Sequence, residues 1–578
     1  MNQEELHQLR HSLAHLLGAT VVKLYPGSKL TIGPSVDNGF YYDVDTSEKI
    51  TENDLEPIEK EMRNMLKSWS TFSHKEVSAD EAREFFKDNE YKIELINELA
   101  EKGEKITLYT SGDFTDLCRG GHVENMNSID PLSFKIDRVA GAYWRGDEKN
   151  KMLTRVYGLA FESKVKLDEY LTMTAEAKKR DHRKIGQELD LFTFSPLVGS
   201  GLPLWTPRGT IIREELHNFV WDLRKKYGYQ KVTIPHITKK DLYETSGHWE
   251  KFSGELFKIT TREGKEYAMK PMNCPHHTQI FNHLQRSYRD MPQRYAETTM
   301  VYRDEQSGEL GGLTRVLSIT QDDAHVFCRH SQLKEEFFAV WDIIHTFYGT
   351  FGFELRPRLS FHDPEKPEKY LGTPEIWNHA ESVLKEIAEE KNADYFIGIG
   401  EAAMYGPKLD FMAKDSLGRE HQVATIQLDM NLPERFDLFC INEKGEKERI
   451  VMLHCAIMGS IERFSAVLLE HTSGTLPTFL SPEQITIIPV KEEHEEAAQK
   501  IAVVFRDVNI RTGIISSGNS LGKRIHEAKS MKTPYIVVLG DKEIESGTLT
   551  IETRAGEKIS LTQDQLLEKL TQEISSRS

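Results

Sequence analysis

Cys274 in MKPMNCPHH, His325 in TQDDAH and His454 in VMLHCAIMGS supply one thiol and two imidazoles from three distant stretches. A thiolate and two neutral imidazoles form a three-ligand zinc set that leaves a fourth position open for substrate. The separations are too long for a zinc finger, so a fold must gather them. Arg303, Asp323 and Arg463 stand in the same or neighbouring motifs and add charge for anion binding and polar recognition. A second group lies near the start of the chain. His11 and His15, four residues apart, project from one face of a helix. Cys118 and His122 form a CxxxH pair, and the four side chains together make a candidate zinc set of their own.

The elements that must position these groups fall into three blocks. Residues 3–23 have helical spacing, whereas GFYYDV and TLYTSGDFTDL read as extended. A charged connecting helix is predicted over 164–186. The middle block opens with an amphipathic helix (Ile211, Ile212, Leu216, Phe219, Val220, Leu223), then Gly228 and a strand ending at Pro235. Apolar, β-rich segments follow at 296–303, 314–327, 394–399, and 404–413 with 421–430, the last two joined as a hairpin at Gly418. The third block alternates strand ITIIPV, a helix near 493–505, strand IRTGIIS, a helix at 520–530 and strand PYIVVLG. That alternation predicts a small α/β domain with a largely parallel core.

Composition narrows the class. With 578 residues, 29% charged and 38% hydrophobic, the chain is an ordinary globular mixture of roughly three or four domains. No apolar run approaches the roughly 20 residues that span a bilayer, and MNQEELHQLRHSLAH lacks the signature of a signal peptide. Five cysteines without regular spacing point to a reducing compartment, the cytoplasm, and not to a disulfide framework. The net charge of −17 makes the chain a poor non-specific binder of nucleic acid, although specific phosphate contacts need only a local basic surface. The run AKKRDHRK at 177–184 is either such a surface or a solvated helix face. Neither a membrane nor DNA is an expected partner.

The middle block resembles the class II aminoacyl-tRNA synthetases. The helix and strand at 209–235, VYRDEQSGELGGLTR within 296–326, and GSIERF at 459–464 match the three signatures of that class. MKPMNCP, TQDDAH, YGPKLDF and TIQLD are similar to the threonyl-tRNA synthetase family within it. The resemblance covers nearly the whole chain and implies an α+β multidomain protein. Its central part would be an antiparallel sheet flanked by helices (187–477), preceded by an α+β editing domain (1–165) and a linker helix (166–186). An α/β anticodon-binding domain (478–578) would follow.

The implied activity is ATP-dependent activation of threonine, transfer to tRNA(Thr), and hydrolysis of seryl-tRNA(Thr). Carboxylate attack on the α-phosphate depends mainly on positioning and charge stabilisation, with Mg²⁺ and arginines gripping the phosphates. By resemblance Arg303 holds the α-phosphate and carboxylate, Arg463 the γ-phosphate, and Arg315 assists. Glu305 reads the adenine amino group, and Gln422 contributes to the ATP pocket. Lys408 joins the catalytic group, and His248 sits near the tRNA terminal ribose. Met272, Gln321, Asp323, Tyr405 and Gln427 line the threonine pocket, where one Zn²⁺ per subunit on Cys274, His325 and His454 takes the substrate amino and hydroxyl groups. Valine lacks that hydroxyl and is rejected by about 10⁴–10⁵, whereas serine lacks only a methyl, worth about 10–200-fold. A separate hydrolytic site is therefore required. GFYYDVD, YKIEL and FTDLCRGGHV resemble the family's editing site, adding Lys92, Asp116 and Tyr42 to His11, His15, Cys118 and His122; there the histidines position a water without bound metal. The first signature implies a homodimer.

The chain departs from the family at several positions. Ten residues precede His11, where the family usually carries another small domain. The adenine-stacking aromatic is Ile319, with Leu317 and Ser318 just upstream in place of an arginine and a glycine, and Cys455 and Ala424 replace a basic residue and a glycine. In the last block Ser517, Gly518, Asn519 and Ser520 stand for Arg-Asn-Glu-Lys, and Glu552 for an anticodon-contacting arginine; Glu543 and Lys532 keep their type. These changes favour keeping two alternatives: a paralogue that activates threonine with altered or lost tRNA recognition, and a non-enzymatic RNA-binding regulator. Exchange of pyrophosphate without tRNA charging would mark the first, and loss of zinc ligands or phosphate arginines the second.

Overall fold

The structure, a computed structural model, describes residues 1–577. It divides into two compact units, Met1–Glu176 and the remainder from Ala177.

In the first unit the helix Gln3–Leu24 begins where Asn2 accepts the Glu5 amide and Glu5 returns a carboxylate to the Asn2 amide, both at 2.9 Å. Its Leu9, Leu13, Leu16, Leu17 and Val21 are buried against an antiparallel sheet built on Gly39–Asp45, Met152–Ala160 and Phe134–Tyr143. Gly18 allows that approach, since a Cβ there would lie 2.8 Å from the Tyr42 ring. The extended stretch predicted over TLYTSGDFTDL is a hairpin, Ile106–Ser111 and Phe114–Leu117, turned at Gly112 with φ +57°. The connecting helix is two helices, Lys164–Lys179 and His182–Glu188. Asp181 interrupts the run because its side chain accepts the Arg183 amide and caps the second helix.

The second unit carries an eight-stranded sheet. Six strands run antiparallel in the order Gln293–Tyr302, Ser318–Cys328, Val451–Ser460, Glu420–Asp429, Lys408–Lys414 and Glu354–Phe361. Each end adds one short parallel strand, Gln230–Lys231 and Phe396–Ile399. The predicted strand ending at Pro235 is thus only two residues long. The hairpin at Gly418 forms as expected, with φ +81°. Strand period decides which face is which. Ala324, Val326, Leu453, Cys455, Ile426 and Leu428 point into a core completed by helices Pro207–Lys226, Leu333–Thr350 and Ile461–Thr472. The alternate residues Gln321, Asp323, His325, Gln427 and His454 fall on the opposite face.

From Ile485 a five-stranded sheet follows. Ile485–Pro489 pairs in parallel with Thr512–Ile514 and Tyr535–Leu539, as predicted, and two further antiparallel strands, Thr548–Thr553 and Lys558–Thr562, extend it. The α+β architecture expected from the resemblance is therefore present.

Candidate active site

His325 and His454 are direct cross-strand partners, and Gln427 pairs with His454 on its other side. Cys274 opens the helix Cys274–Asn282, and all three ligand-type residues are buried. Their ligand atoms lie within 4.8 Å of one another. His325 Nε2 and His454 Nδ1 approach to 3.1 Å, while each ring's other nitrogen is engaged outward. His454 Nε2 meets Asp429 Oδ2 at 2.9 Å, and His325 Nδ1 meets His277 Nδ1 at 2.8 Å. Such outer partners fix ring orientation and tautomer in metal sites, so this donor set fits a bound metal ion.

The three side chains line a cavity of about 650 Å³ shared with Met272, Arg303, Gln321, Asp323, Tyr405, Lys408 and Gln427. A second cavity of about 440 Å³ adjoins it through Arg303, Gln321, Gln427 and Ala456, and is lined by Glu305, Arg315, Ile319, Gln422 and Arg463. Arg303 therefore stands at the junction. Its guanidinium lies 5.5 Å from the Phe252 ring centroid, and its Nε has no partner among the described residues, nor has Gln321 Oε1. Asp323 is held by Asn273 Nδ2 at 3.0 Å, and Tyr405 donates to Gln427 Oε1 at 2.5 Å. Ser460 caps the helix Ile461–Thr472 and accepts the Arg463 amide.

Four residues carry details that the sequence did not give. Glu305 and Arg315, both expected at ATP, bind each other at 2.5–2.8 Å. Gln422 lines the pocket, but its amide is committed to Asp410 at 2.9 Å and Arg358 at 2.8 Å. His248 starts the short helix His248–Lys251, is fully buried, and places Nε2 3.2 Å from Met272 Sδ and 3.9 Å from Cys274 Sγ. Burial pushes its imidazole down to about 3, so the ring is neutral. Lys408 faces the cavity and sits 3.2 Å from Asp410.

The N-terminal group also converges. His11 Nε2 and His122 Nε2 lie 3.6 Å and 3.3 Å from Cys118 Sγ, and the His11 and His122 rings stack at 4.5 Å. Beside them Asp116 accepts from Lys92 Nζ at 2.5 Å and from the Tyr42 hydroxyl, and His15 Nδ1 lies 3.4 Å away. The walls enclose about 430 Å³. Burial lowers His11 and His15, brings His122 to about 2, and raises the Cys118 thiol to about 11. Neutral imidazoles can accept a hydrogen bond from water there, while the thiol keeps its proton.

In the last block Glu552 pairs with Lys529 at 2.5 Å, which offsets the repulsion expected of a lone carboxylate facing RNA. Glu495 binds both the Ser517 amide and hydroxyl at 2.8 Å. Lys532 turns inward onto the Ser473 carbonyl. Sequence reading passed over Asp429 and His277, although Asp429 ends the TIQLD motif and shares the Gln427 face.

A model of the class II tRNA synthetase core domain (G, H, P, S and T) matches residues 257–472, an anticodon binding domain matches 484–573, and the threonyl and alanyl tRNA synthetase second additional domain matches 106–157. A threonine–tRNA ligase of Porphyromonas gingivalis is 49% identical, over 93% of this chain and 83% of that protein. One of Flavobacterium johnsoniae is 48% identical, over 95% and 84%. The solved RNA binding domain of threonyl-tRNA synthetase from Cryptosporidium parvum superposes with a TM-score of 0.65 at 37% identity, covering 68% of this chain and 98% of that one. The chain belongs to the threonine–tRNA ligase family.

Proposed function

We propose that this chain is a threonine–tRNA ligase that activates threonine with ATP, transfers it to tRNA(Thr) and hydrolyses seryl-tRNA(Thr). One observation carries the reading: a Cys–His–His floor opens into a cavity that shares Arg303, Gln321 and Gln427 with a second, arginine-lined cavity. An amino acid in the first and the phosphates of ATP in the second would meet at Arg303. That guanidinium is the group placed to hold the attacking carboxylate and the α-phosphate together, a positioning contribution. Arg463 would take the γ-phosphate, with Mg²⁺ accompanying ATP. Ile319 and Val316 offer an apolar wall to the base.

Cys274, His325 and His454 would hold Zn²⁺, which supplies Lewis-acid recognition of the threonine amino and hydroxyl groups. Asp323 and the Tyr405–Gln427 pair would orient the same amino acid, and the neutral His248 ring behind Cys274 and Met272 would assist transfer to the tRNA ribose as a hydrogen-bonding group. At the N-terminal site the neutral His11, His15 and His122 would orient a water against the misacylated ester, Lys92, Asp116 and Tyr42 fixing one wall.

No helix among the described residues is long and apolar enough to cross a membrane, and we assign the protein to the cytoplasm. A homodimer is proposed around 209–235. Because Ile212, Leu216, Phe219 and Val220 are buried in the protomer's own core, a second copy would meet the flanks, where Leu204 and Ile237 are exposed. The paralogue and regulator alternatives are not favoured: each ligand residue and phosphate arginine is retained, and the relatives above bear the ligase name. The test is charging of a tRNA(Thr) transcript with threonine, serine and valine, before and after Cys118→Ala. Threonine charging with seryl-tRNA accumulating only in the variant supports both sites; clean product from the variant would remove the editing role.

A further inference from the structure

Asp181, His182 and Glu470 bring ligand-type atoms within 4.8 Å of one another. They do not make a metal site, because each donor atom is already committed. Asp181 binds the Arg183 amide at 2.8 Å and its guanidinium at 2.5 Å. Glu470 Oε2 takes Arg419 at 2.6 Å, and its Oε1 faces both the His182 amide at 3.2 Å and Nδ1 at 2.7 Å. His182 Nε2 accepts the Leu313 amide at 3.0 Å. That last contact fixes the tautomer. An N–H donates to Nε2, so the ring proton is on Nδ1 and is given to Glu470.

Leu313 lies within the loop that joins Gln293–Tyr302 to Ser318–Cys328, the loop carrying Glu305 and Arg315. Its side chain is fully buried, and the turn around it closes through the Gly311 amide to the Arg315 carbonyl at 3.1 Å. Gly312, at φ +57°, passes so near the ring that a Cβ would come 2.4 Å from His182 Nε2. The ring thus touches the loop at one turn, two residues before Arg315, from a helix that lines neither cavity.

We infer that His182 is a positioning residue for ATP, its Glu470-oriented ring gripping the loop that presents Glu305 and Arg315. This rests on the function proposed above. Neither the amino-acid cavity nor its metal ligands touch this helix, so the two substrates should respond differently. A free loop would have to be ordered by ATP at binding, which weakens ATP without altering the threonine pocket.

The test is threonine-dependent ATP–pyrophosphate exchange. Wild-type exchange must first require both threonine and ATP; if it does not, the proposed function fails and His182 is not the cause. His182→Gln keeps one donor and one acceptor at similar reach, whereas His182→Leu keeps only bulk. The Leu variant should show a KM for ATP raised by about tenfold, with the KM for threonine within twofold of wild type, and Gln should restore most of the loss. Amide exchange across 307–317 in the ligand-free enzyme should be faster in Leu than in Gln. Equal ATP KM values for Gln and Leu, or parallel rises for ATP and threonine, would overturn the assignment. Should His182→Leu fail to fold, His182→Met gives the same comparison.

Discussion

At the residue scale two imidazoles are held through their outer nitrogens, His454 by Asp429 and His325 by His277. Cys274, His325 and His454 were identifiable because a thiol and two imidazoles in polar motifs have few other uses together. Asp429 and His277 could not be assigned from spacing, since each acts on a ring brought to it by a different strand. Their effect is measurable. Asp429→Asn keeps an acceptor for His454 Nε2 but removes the charge that orients and polarises the ring, so metal affinity should fall about tenfold or more. Competition with a chromogenic chelator reads this directly. An unchanged dissociation constant would show that the carboxylate serves only the amides of Asn431 and Leu432, which it also accepts.

At the scale of elements the strand period told which residues share a face, but pairing is non-local and stayed hidden. Glu354–Phe361 was missed because flanking charges mask its alternation, and the break at Asp181 because a basic run reads as one continuous helix. Equally unforeseen was the clamp behind the site. Arg224, from the helix Pro207–Lys226, donates to the carbonyls of Asp322 and Cys455 at 2.8 Å and 3.2 Å, tying together the strands that bear His325 and His454. It does so where the register shifts between Gln321 and Asp323. Arg224 also meets the buried Asp322 carboxylate at 3.4 Å, and removing one member of a buried pair costs about 3–5 kcal/mol, so Arg224→Met should lower thermal stability markedly and raise the KM for threonine. A stable variant with an unchanged KM would refute the clamp.

The Asp322 carboxyl in this clamp also sets a pH response. Burial pushes it up to about 6 from 3.8, against the pull of Arg224 and the amides of Ile457 and Met458. Between those values the unfolded chain has released the proton that the folded state keeps. Wild-type stability should therefore decline as pH rises through about 4 to 6. Asp322→Asn has no carboxyl to titrate, so the wild-type advantage in melting temperature should narrow across that interval; a constant difference would exclude the effect.

At the scale of the whole molecule, length and motif order predict three blocks and the structure divides into two compact units, while the net charge of −17 says little about an RNA-binding function. What the structure adds is that the two candidate sites share no lining residue. Every residue lining the His11–Cys118 cavity lies within Met1–Glu176, and every residue lining the two synthetic cavities lies beyond it. Each unit has its own buried cluster, Leu13, Leu16, Phe40 and Val156 in one, Phe347, Leu453 and Phe464 in the other. Reciprocal variants should therefore divide the functions. Cys274→Ser should abolish threonine-dependent pyrophosphate exchange yet still deacylate tRNA(Thr) precharged with serine. Cys118→Ala should activate threonine within about twofold of wild type, since sites that share no lining residue should behave additively, yet leave seryl-tRNA intact. Loss of deacylation in the Cys274→Ser protein, with folding preserved, would mean that hydrolysis needs an intact synthetic site, and the independence of the two units would have to be abandoned.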